Sequence, residues 1–283
     1  LLDKTRININ LKELGFERNQ MELFLEHLRN PHEIILVTGP TGSGKTTTLY
    51  GALNRINSVE KNIVTVEDPV EYELKGVNQV QVNIKADMTF SSALRSILRQ
   101  DPDIVMIGEI RDVVTAEIAI QAALTGHLVL STLHTNDAAG AITRLVDMGI
   151  APFLIASSVG VVIAQRLVRK LCPKCREVVD ANESLHQQLG IAYKEGRKFY
   201  KPVGCSQCDN NGYKGRVAIY EILSVSEKIE ELIMGKASSH AIFRQAQKEG
   251  FRSLREAGIK KALAGETSVA EVMRVSMADT VDN

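Results

Sequence analysis

The stretch Gly39-Pro40-Thr41-Gly42-Ser43-Gly44-Lys45-Thr46 restricts the folds open to this sequence more than any other part of it. It satisfies G-x-x-x-x-G-K-[ST], and its flanks have the character that pattern requires. Ile34 to Val37 is an apolar run suited to a buried strand, and Thr46 to Asn57 carries Leu49, Leu53 and Ile56 at helical spacing. A strand, a glycine-rich turn and a helix in that order make a cradle for phosphate. The glycines allow backbone conformations whose successive N–H groups converge on an anion, and the helix N-terminus adds partial positive charge. Lys45 is placed to reach the β- and γ-phosphates of a nucleotide and the Thr46 hydroxyl to ligate Mg²⁺. Gly39, Pro40, Thr41, Gly42, Ser43, Gly44 and Thr47 complete the expected nucleotide cradle.

Three further apolar runs, Ile63–Val66, Ile104–Ile107 and Leu128–Leu130, alternate with helical patterns at Ser91–Gln100 and Asp112–Thr125. Asn136 or Asp137 can cap another helix ending near Gly149. Continuous Ile/Val/Leu runs suit strands buried on both faces, so the fold class is α/β with a parallel sheet. The most apolar segment, Ile150 to Ala164, reads as a buried core helix; it contains Pro152 and falls short of the roughly 20 residues that span a bilayer. Beyond about Arg169 the stretch Lys174–Gly204 is polar and loop-rich, and helices are expected at Ser238–Lys248 and Ser253–Ala264.

A phosphate cradle becomes a hydrolytic site only with metal positioning and an activated water. Ile104-Val-Met-Ile-Gly-Glu109 is a buried strand ending in an acid, and strand ends in such sheets open onto the ligand crevice. Glu109 is therefore a candidate to hold Mg²⁺ or to orient the attacking water. Val64-Thr-Val-Glu67-Asp68-Pro69 brings two more carboxylates to the same rim, and Ser131-Thr-Leu-His134 brings a histidine that can hydrogen-bond phosphate oxygens. His127, at the start of that strand, belongs to the opposite edge.

The four cysteines form two Cys-x-x-Cys pairs, Cys172/Cys175 and Cys205/Cys208. Four thiolates at this spacing can close a tetrahedral Zn²⁺ site with no open position, a structural rather than catalytic centre. A redox pair and buried unliganded thiols are the competing readings. The pattern suits a reducing compartment. Lys plus Arg and Asp plus Glu number 34 each, so no bulk positive field points to nucleic acid. The opening residues lack the pattern of a secretory signal, and the missing initiator Met suggests a fragment of a longer protein.

Taken in order, these elements resemble the secretion ATPase superfamily of type II secretion, type IV pilus and type IV secretion motors. Gly39–Thr46 is similar to its Walker A element and Gly108-Glu109 to its atypical Walker B. Val66-Glu67-Asp68-Pro69-Val70-Glu71 resembles its Asp box, and the stretch from His127 to Asn136 its His box.

The resemblance implies a RecA-like P-loop NTPase core with a tetracysteine zinc-binding insertion and a helical C-terminal region. It implies ATP hydrolysis with Mg²⁺, in which Glu109 and Glu67 serve in an order left open and His134 senses the γ-phosphate. It also implies a homo-hexamer, completed by arginines from an adjoining N-terminal domain, that works on an inner-membrane platform protein from the cytoplasm. The tetracysteine insertion, without the retraction motif Ala-Ile-Arg-Asn-Leu-Ile-Arg-Glu, marks an assembly motor, with type IV pilus assembly first and type II secretion as the alternative. A nucleic-acid translocase and a non-hydrolysing scaffold are the rivals from other classes. The expected divisions are 1–30 as a linker that includes Leu14-Gly15-Phe16, 31–170 as the motor core, 171–215 as the zinc subdomain and 216–283 as C-terminal helices. Residues from Ala278 to Asn283 are expected to fray.

Overall fold

The apolar runs lie side by side as parallel strands because each can be buried only between layers of other structure. In the computed structural model, which describes residues 11–180 and 182–276, they are β1 (Ile34–Thr38), β2 (Ile63–Glu67), β4 (Ile104–Ile107) and β5 (Leu128–Leu133). With β3 (Asn78–Gln81), β6 (Val159–Leu171) and β9 (Tyr213–Ser224) they form one sheet of order β3-β2-β4-β5-β1-β6-β9. Every residue of β1, β2, β4 and β5 is buried. The α/β class with a parallel sheet is as expected. Residues 1–10 of the expected linker, and Ala278–Asn283, lie outside the described residues.

The chain divides into two compact units, one comprising the residues up to Ala164 with Ile222–Phe251, the other Gln165–Glu221 with the residues from Arg252 onward. In the first unit, β1 pairs with β5 in the register Ile34↔Val129 to Thr38↔Leu133, and β4 pairs with β5 from Ile104↔Leu128 to Ile107↔Ser131. Parallel pairing in this register brings the C-terminal ends of β1, β2, β4 and β5 to one edge. Helices α1 (Arg18–His27), α2 (Lys45–Ile56), α3 (Phe90–Ile97), α4 (Val113–Leu124), α5 (Ala138–Asp147), α6 (Pro152–Ser158), α8 (Glu227–Met234) and α9 (Ser239–Lys248) complete this unit. Of the two candidate caps for α5, Asp137 is the one used, accepting from Gly140 N at 2.6 Å. Asp112 caps α4 in the same way, at 2.8 Å from Thr115 N.

One expectation fails. The run from Ile150 to Ala164 is not a single helix: α6 covers Pro152–Ser158, and β6 begins at Val159. Pro152 starts the helix where its missing N–H costs nothing. The β-branched Val159, Val161, Val162 and Ile163 then favour extended backbone, and strand pairing with β1 overrides apolar continuity.

The second unit holds the cysteines. Its polar stretch is more ordered than expected: β7 (Glu177–Asp180) and β8 (Lys198–Lys201) form an antiparallel pair, with α7 (Glu183–Leu189) between them in sequence. Leu189 and Phe199 pack with Ile259 and Ala262 of α10 (Leu254–Leu263) and Val272 of α11 (Val269–Ser276) in a small core. Beside it the buried Glu271 accepts from Arg169 N at 2.9 Å and Arg169 Nη2 at 2.7 Å, and from Arg274 Nε at 3.1 Å. Burial opposes its charge, but the Arg274 and Arg169 hydrogen bonds win and hold its carboxyl down at about 2. A depressed carboxylate contributes stability that is complete above its ordinary value and lost as pH falls through the folded value. Glu271→Gln is therefore expected to cost about 1–3 kcal/mol at neutral pH. The gap to the parent should close as pH falls from 4.5 toward about 2, read by urea denaturation across that range.

Candidate active site and metal centre

The loop after β1 turns through three residues of positive φ, Gly39 (148°), Gly42 (78°) and Gly44 (89°). Side-chain-bearing residues rarely adopt such angles, which is why glycine recurs there. Gly44 hands the chain to α2, whose first residue is Lys45, so the unpaired N–H groups of the first helical turn face the loop. Lys45 Nζ donates to Gly39 O at 2.8 Å and Pro40 O at 3.2 Å. Thr46 is half-buried, while Pro40, Thr41, Gly42 and Thr47 are exposed.

Glu109 follows β4 at the same edge, half-buried, with the charges of three elements around it. Arg111 Nη2 donates to Glu109, and Arg111 Nη1 stands 3.8 Å from Asp68 Oδ2. His134 Nε2 lies 3.1 Å from the other Glu109 oxygen. Burial works against ionisation of Glu109, but Arg111 and then His134 outweigh it and keep the carboxyl below its ordinary range. Glu109 and His134, 25 residues apart in sequence, are thus in contact at the edge where the sequence placed both strand ends. His127, by contrast, turns to the other end of β5, where its Nδ1 sits 2.8 Å from Ala122 O and closes the end of α4.

Glu67 is placed differently from its neighbour Asp68. Its side chain is buried at the end of β2, where the hydroxyls of Tyr50 and Thr65 donate to it and Gln79 Nε2 donates at 3.1 Å. Burial and then the Glu67 hydrogen bond push the Tyr50 phenol far above its ordinary value. Tyr72 packs edge-on against Tyr50, with ring centroids 4.6 Å apart, and burial pushes its phenol up to about 12. Tyr50→Phe removes one of three donors from a buried carboxylate and is expected to destabilise the fold by about 1–3 kcal/mol in urea denaturation.

Arg111 and Tyr50 were not singled out from the sequence. Arg111 had a signal, since a cation two residues beyond a strand-end acid can pair back with it. Tyr50 had none, because it lies on α2 and its partner ends β2, a contact that only the folded chain makes. Hydroxyls also tie the strand ends together. Thr38 Oγ1 accepts from Thr135 N at 2.9 Å, and Thr132 Oγ1 donates to Gly108 O at 2.7 Å. A Cβ on Gly108 would meet Val66 O at 3.3 Å, so a larger residue would crowd β2 away from this edge.

The four cysteine sulfurs converge as the spacing predicts, all within 4.8 Å of one another. Cys172–Cys205, Cys175–Cys208 and Cys205–Cys208 stand at 3.9, 3.8 and 3.8 Å. A tetrahedron with Zn–S bonds of about 2.3 Å has edges of about 3.8 Å, which these three separations match, so the set is compatible with zinc. Backbone N–H groups of Gly204 and Gly212 donate to Cys175 and Cys208, each at 3.3 Å. Burial raises both thiols of this close-set group, but the N–H groups of Cys205 and Gly212 pull Cys208 down to about 7, whereas burial and the neighbouring thiols push Cys175 up to about 11. Gly204, at φ 118°, passes so close to Asn210 that a Cβ would lie 2.6 Å from its carbonyl oxygen.

Comparison with known proteins identifies the family of this chain. The sequence model of the type II/IV secretion system protein family matches residues 1–274. Type II secretion system protein E of Aeromonas hydrophila is 53% identical over 99% of this chain, and type IV pilus assembly ATPase PilB of Pseudomonas aeruginosa is 51% identical over 98%. The chain spans 56% and 49% of those two relatives. Among solved structures, the pilus retraction motor PilT with bound ADP superimposes with a TM-score of 0.70 at 30% identity, over 94% of this chain and 66% of that one. The ATPase DotB of Legionella pneumophila, 22% identical, shares the fold with a TM-score of 0.69 over 95% of this chain and 65% of its own. With its phosphate loop, its strand-end acids and its match over nearly the whole length, this chain belongs to the type II/IV secretion system protein family.

Proposed function

We propose that this chain is the motor portion of an ATP-hydrolysing assembly machine. The observation that carries the reading is the meeting of the Lys45 loop, Glu109 and His134 at one sheet edge. In this reading Gly39–Thr47 cradle the nucleotide, and Lys45 leaves its loop carbonyls for the β- and γ-phosphates. Thr46 and Glu109 would hold Mg²⁺, whose chemistry is to neutralise charge developing on the phosphate oxygens. His134 donates to the γ-phosphate, and Arg111 steadies Glu109 while that carboxylate organises the water. Glu67 joins in hydrolysis from its bonded position at the end of β2. Water attacks the γ-phosphorus, the bond to the β–γ bridging oxygen breaks, and the proton of the water passes to a carboxylate. Cys172, Cys175, Cys205 and Cys208 hold a structural Zn²⁺.

The working form proposed is a homo-hexamer, with arginines from an N-terminal domain reaching each site and the ring acting on an inner-membrane platform protein from the cytoplasmic side. Among the described residues no helix is long and apolar enough to cross a membrane. The work proposed first is type IV pilus assembly. Identities of 53% and 54% to the type II secretion E proteins of Aeromonas hydrophila and Pseudomonas aeruginosa favour type II secretion as the second reading.

The test is steady-state phosphate release by the full-length protein with Mg²⁺ and ATP. Tight ATP binding with no turnover would move the assignment to a nucleotide-gated scaffold. Salt-steep binding of single-stranded DNA coupled to turnover would move it to a translocase. Return of surface pili to a strain lacking its own extension ATPase, without return of exported enzymes to a secretion-deficient strain, would decide the first reading over the second.

A further inference from the structure

Away from the nucleotide edge, α6 and α8 pack against each other and leave a groove of about 610 Å³ between their outer faces. One wall is Phe153, Ala156 and Ser157, the i, i+3 and i+4 positions of α6. The other is Glu227, Glu230, Glu231 and Met234, the i, i+3, i+4 and i+7 positions of α8. The inward stripe of α8, Ile229 and Ile233, is buried, so this second stripe is not needed for the core. Phe153 and Met234 are nevertheless 57% and 54% exposed. Glu227, Glu230 and Glu231 are exposed, and among the described residues none of them forms an ion pair.

A large ring and a thioether facing water along a groove are a cost that folding alone does not explain. Met is also the side chain that best adapts to a foreign surface. The acid rim states the sign of the partner. An anionic membrane surface would be repelled by three carboxylates, whereas lysines or arginines repeating at three or four residues would meet them. The faces run for about two helical turns, the reach of a short helix laid in a groove.

We propose that this groove docks a basic amphipathic helix of a partner protein, with one large apolar side chain seated between Phe153 and Met234 and basic residues paired with Glu227, Glu230 and Glu231. Exposed ion pairs contribute little individually, so the apolar seat supplies most of the affinity and the rim sets orientation and sign. The site is independent of the nucleotide chemistry proposed above.

The probe is a fluorescent amphipathic peptide of alternating Leu and Lys turns, titrated against the whole chain by anisotropy beside a matched peptide with Glu for Lys. Saturable binding of the Lys peptide alone is expected. Phe153→Ser should weaken it about 10-fold or more, as a lost apolar anchor does. A combined Glu227→Gln, Glu230→Gln, Glu231→Gln variant should weaken it and flatten its salt dependence, while Ile84→Ser, at another exposed apolar residue, should leave it unchanged. Hydrogen exchange on the complex should slow at 152–158 and 227–234. Binding indifferent to both groove variants overturns the proposal, as does equal binding of the Glu peptide. Two other results overturn it in favour of another occupant. One is self-association of the chain that Phe153→Ser abolishes, without peptide binding. The other is Phe153-dependent pelleting with phosphatidylglycerol vesicles, again without peptide binding.

Discussion

Replacing Lys45 by Ala is expected to lower ATP turnover of the full-length protein at least 100-fold, roughly the loss seen when one preorganised charge donor is removed from a transition state. The side chain is buried, and its ammonium sits at the mouth of a loop whose positive-φ glycines and helix N-terminus already favour an anion. Its removal subtracts the only full positive charge within that motif, so ATP affinity should fall together with turnover. Glu109→Gln should behave differently. Glutamine keeps the size and can still contact Arg111 and His134, but it carries no charge for a metal and cannot accept a proton. Turnover should fall by about the same factor while ATP binding is kept, measured by phosphate release beside equilibrium binding of a fluorescent ATP analogue. Because Glu109 is held below the ordinary 4.5, its charged form persists to lower pH than in a free glutamate. Any acid loss of activity that begins near neutrality must then come from another group. Turnover untouched by either substitution would show that the site assignment is wrong.

The second large effect concerns the cysteines. Metal analysis of the purified chain is expected to find about one zinc per molecule, and Cys172→Ser to bring this near zero. A structural zinc contributes on the order of 10 kcal/mol to a small domain, comparable to the whole stability of a typical one. Beside the small cluster of Leu189, Phe199, Ile259 and Val272, the same unit buries Val168, Leu171, Ile219, Tyr220 and Leu254, so the metal matters most to the loops that carry the cysteines. Loss of metal should therefore open the loops around Cys172–Cys175 and Cys205–Cys208, with rapid proteolysis there and survival of the sheet around β1. A Cys172→Ser protein equally stable without zinc would return the cysteines to the redox or unliganded readings.

The nucleotide edge was legible because its parts are local: a strand, a loop and a helix in sequence, and acids directly after apolar runs. Glu109 and His134 could be named from their places at strand ends, and parallel registration then brought them together. Glu67 shows the limit of that reasoning. A glutamate after Ile63-Val-Thr-Val looks like a rim residue, yet Tyr50 and Gln79, distant in sequence, supply the donors that let it be buried. The long strands β6 and β9 were hidden for a related reason. They carry the buried polar residues Gln165, Arg166 and Glu221, which break the apolar signature a central strand is read by. The antiparallel pair β7–β8 reads as loop because Glu177, Asp180, Lys198 and Lys201 dominate its short strands. Cysteine spacing needed no such context, since its geometry is set by the metal chemistry it suits.

The backbone and hydroxyl ties along the sheet edge have a consequence for how this region breathes. The amides of Gly108, Ile110 and Thr135 donate in turn to Val66 O, Thr132 O and Thr38 Oγ1, each link joining a different pair of strands. An amide exchanges with solvent only when its link opens, and these links run in series across β2, β4, β5 and β1. The edge should act as one foldon, with these amides exchanging at a common free energy near that of global unfolding. Glu109 and His134, which lie on this edge, would then be carried on slowly opening backbone.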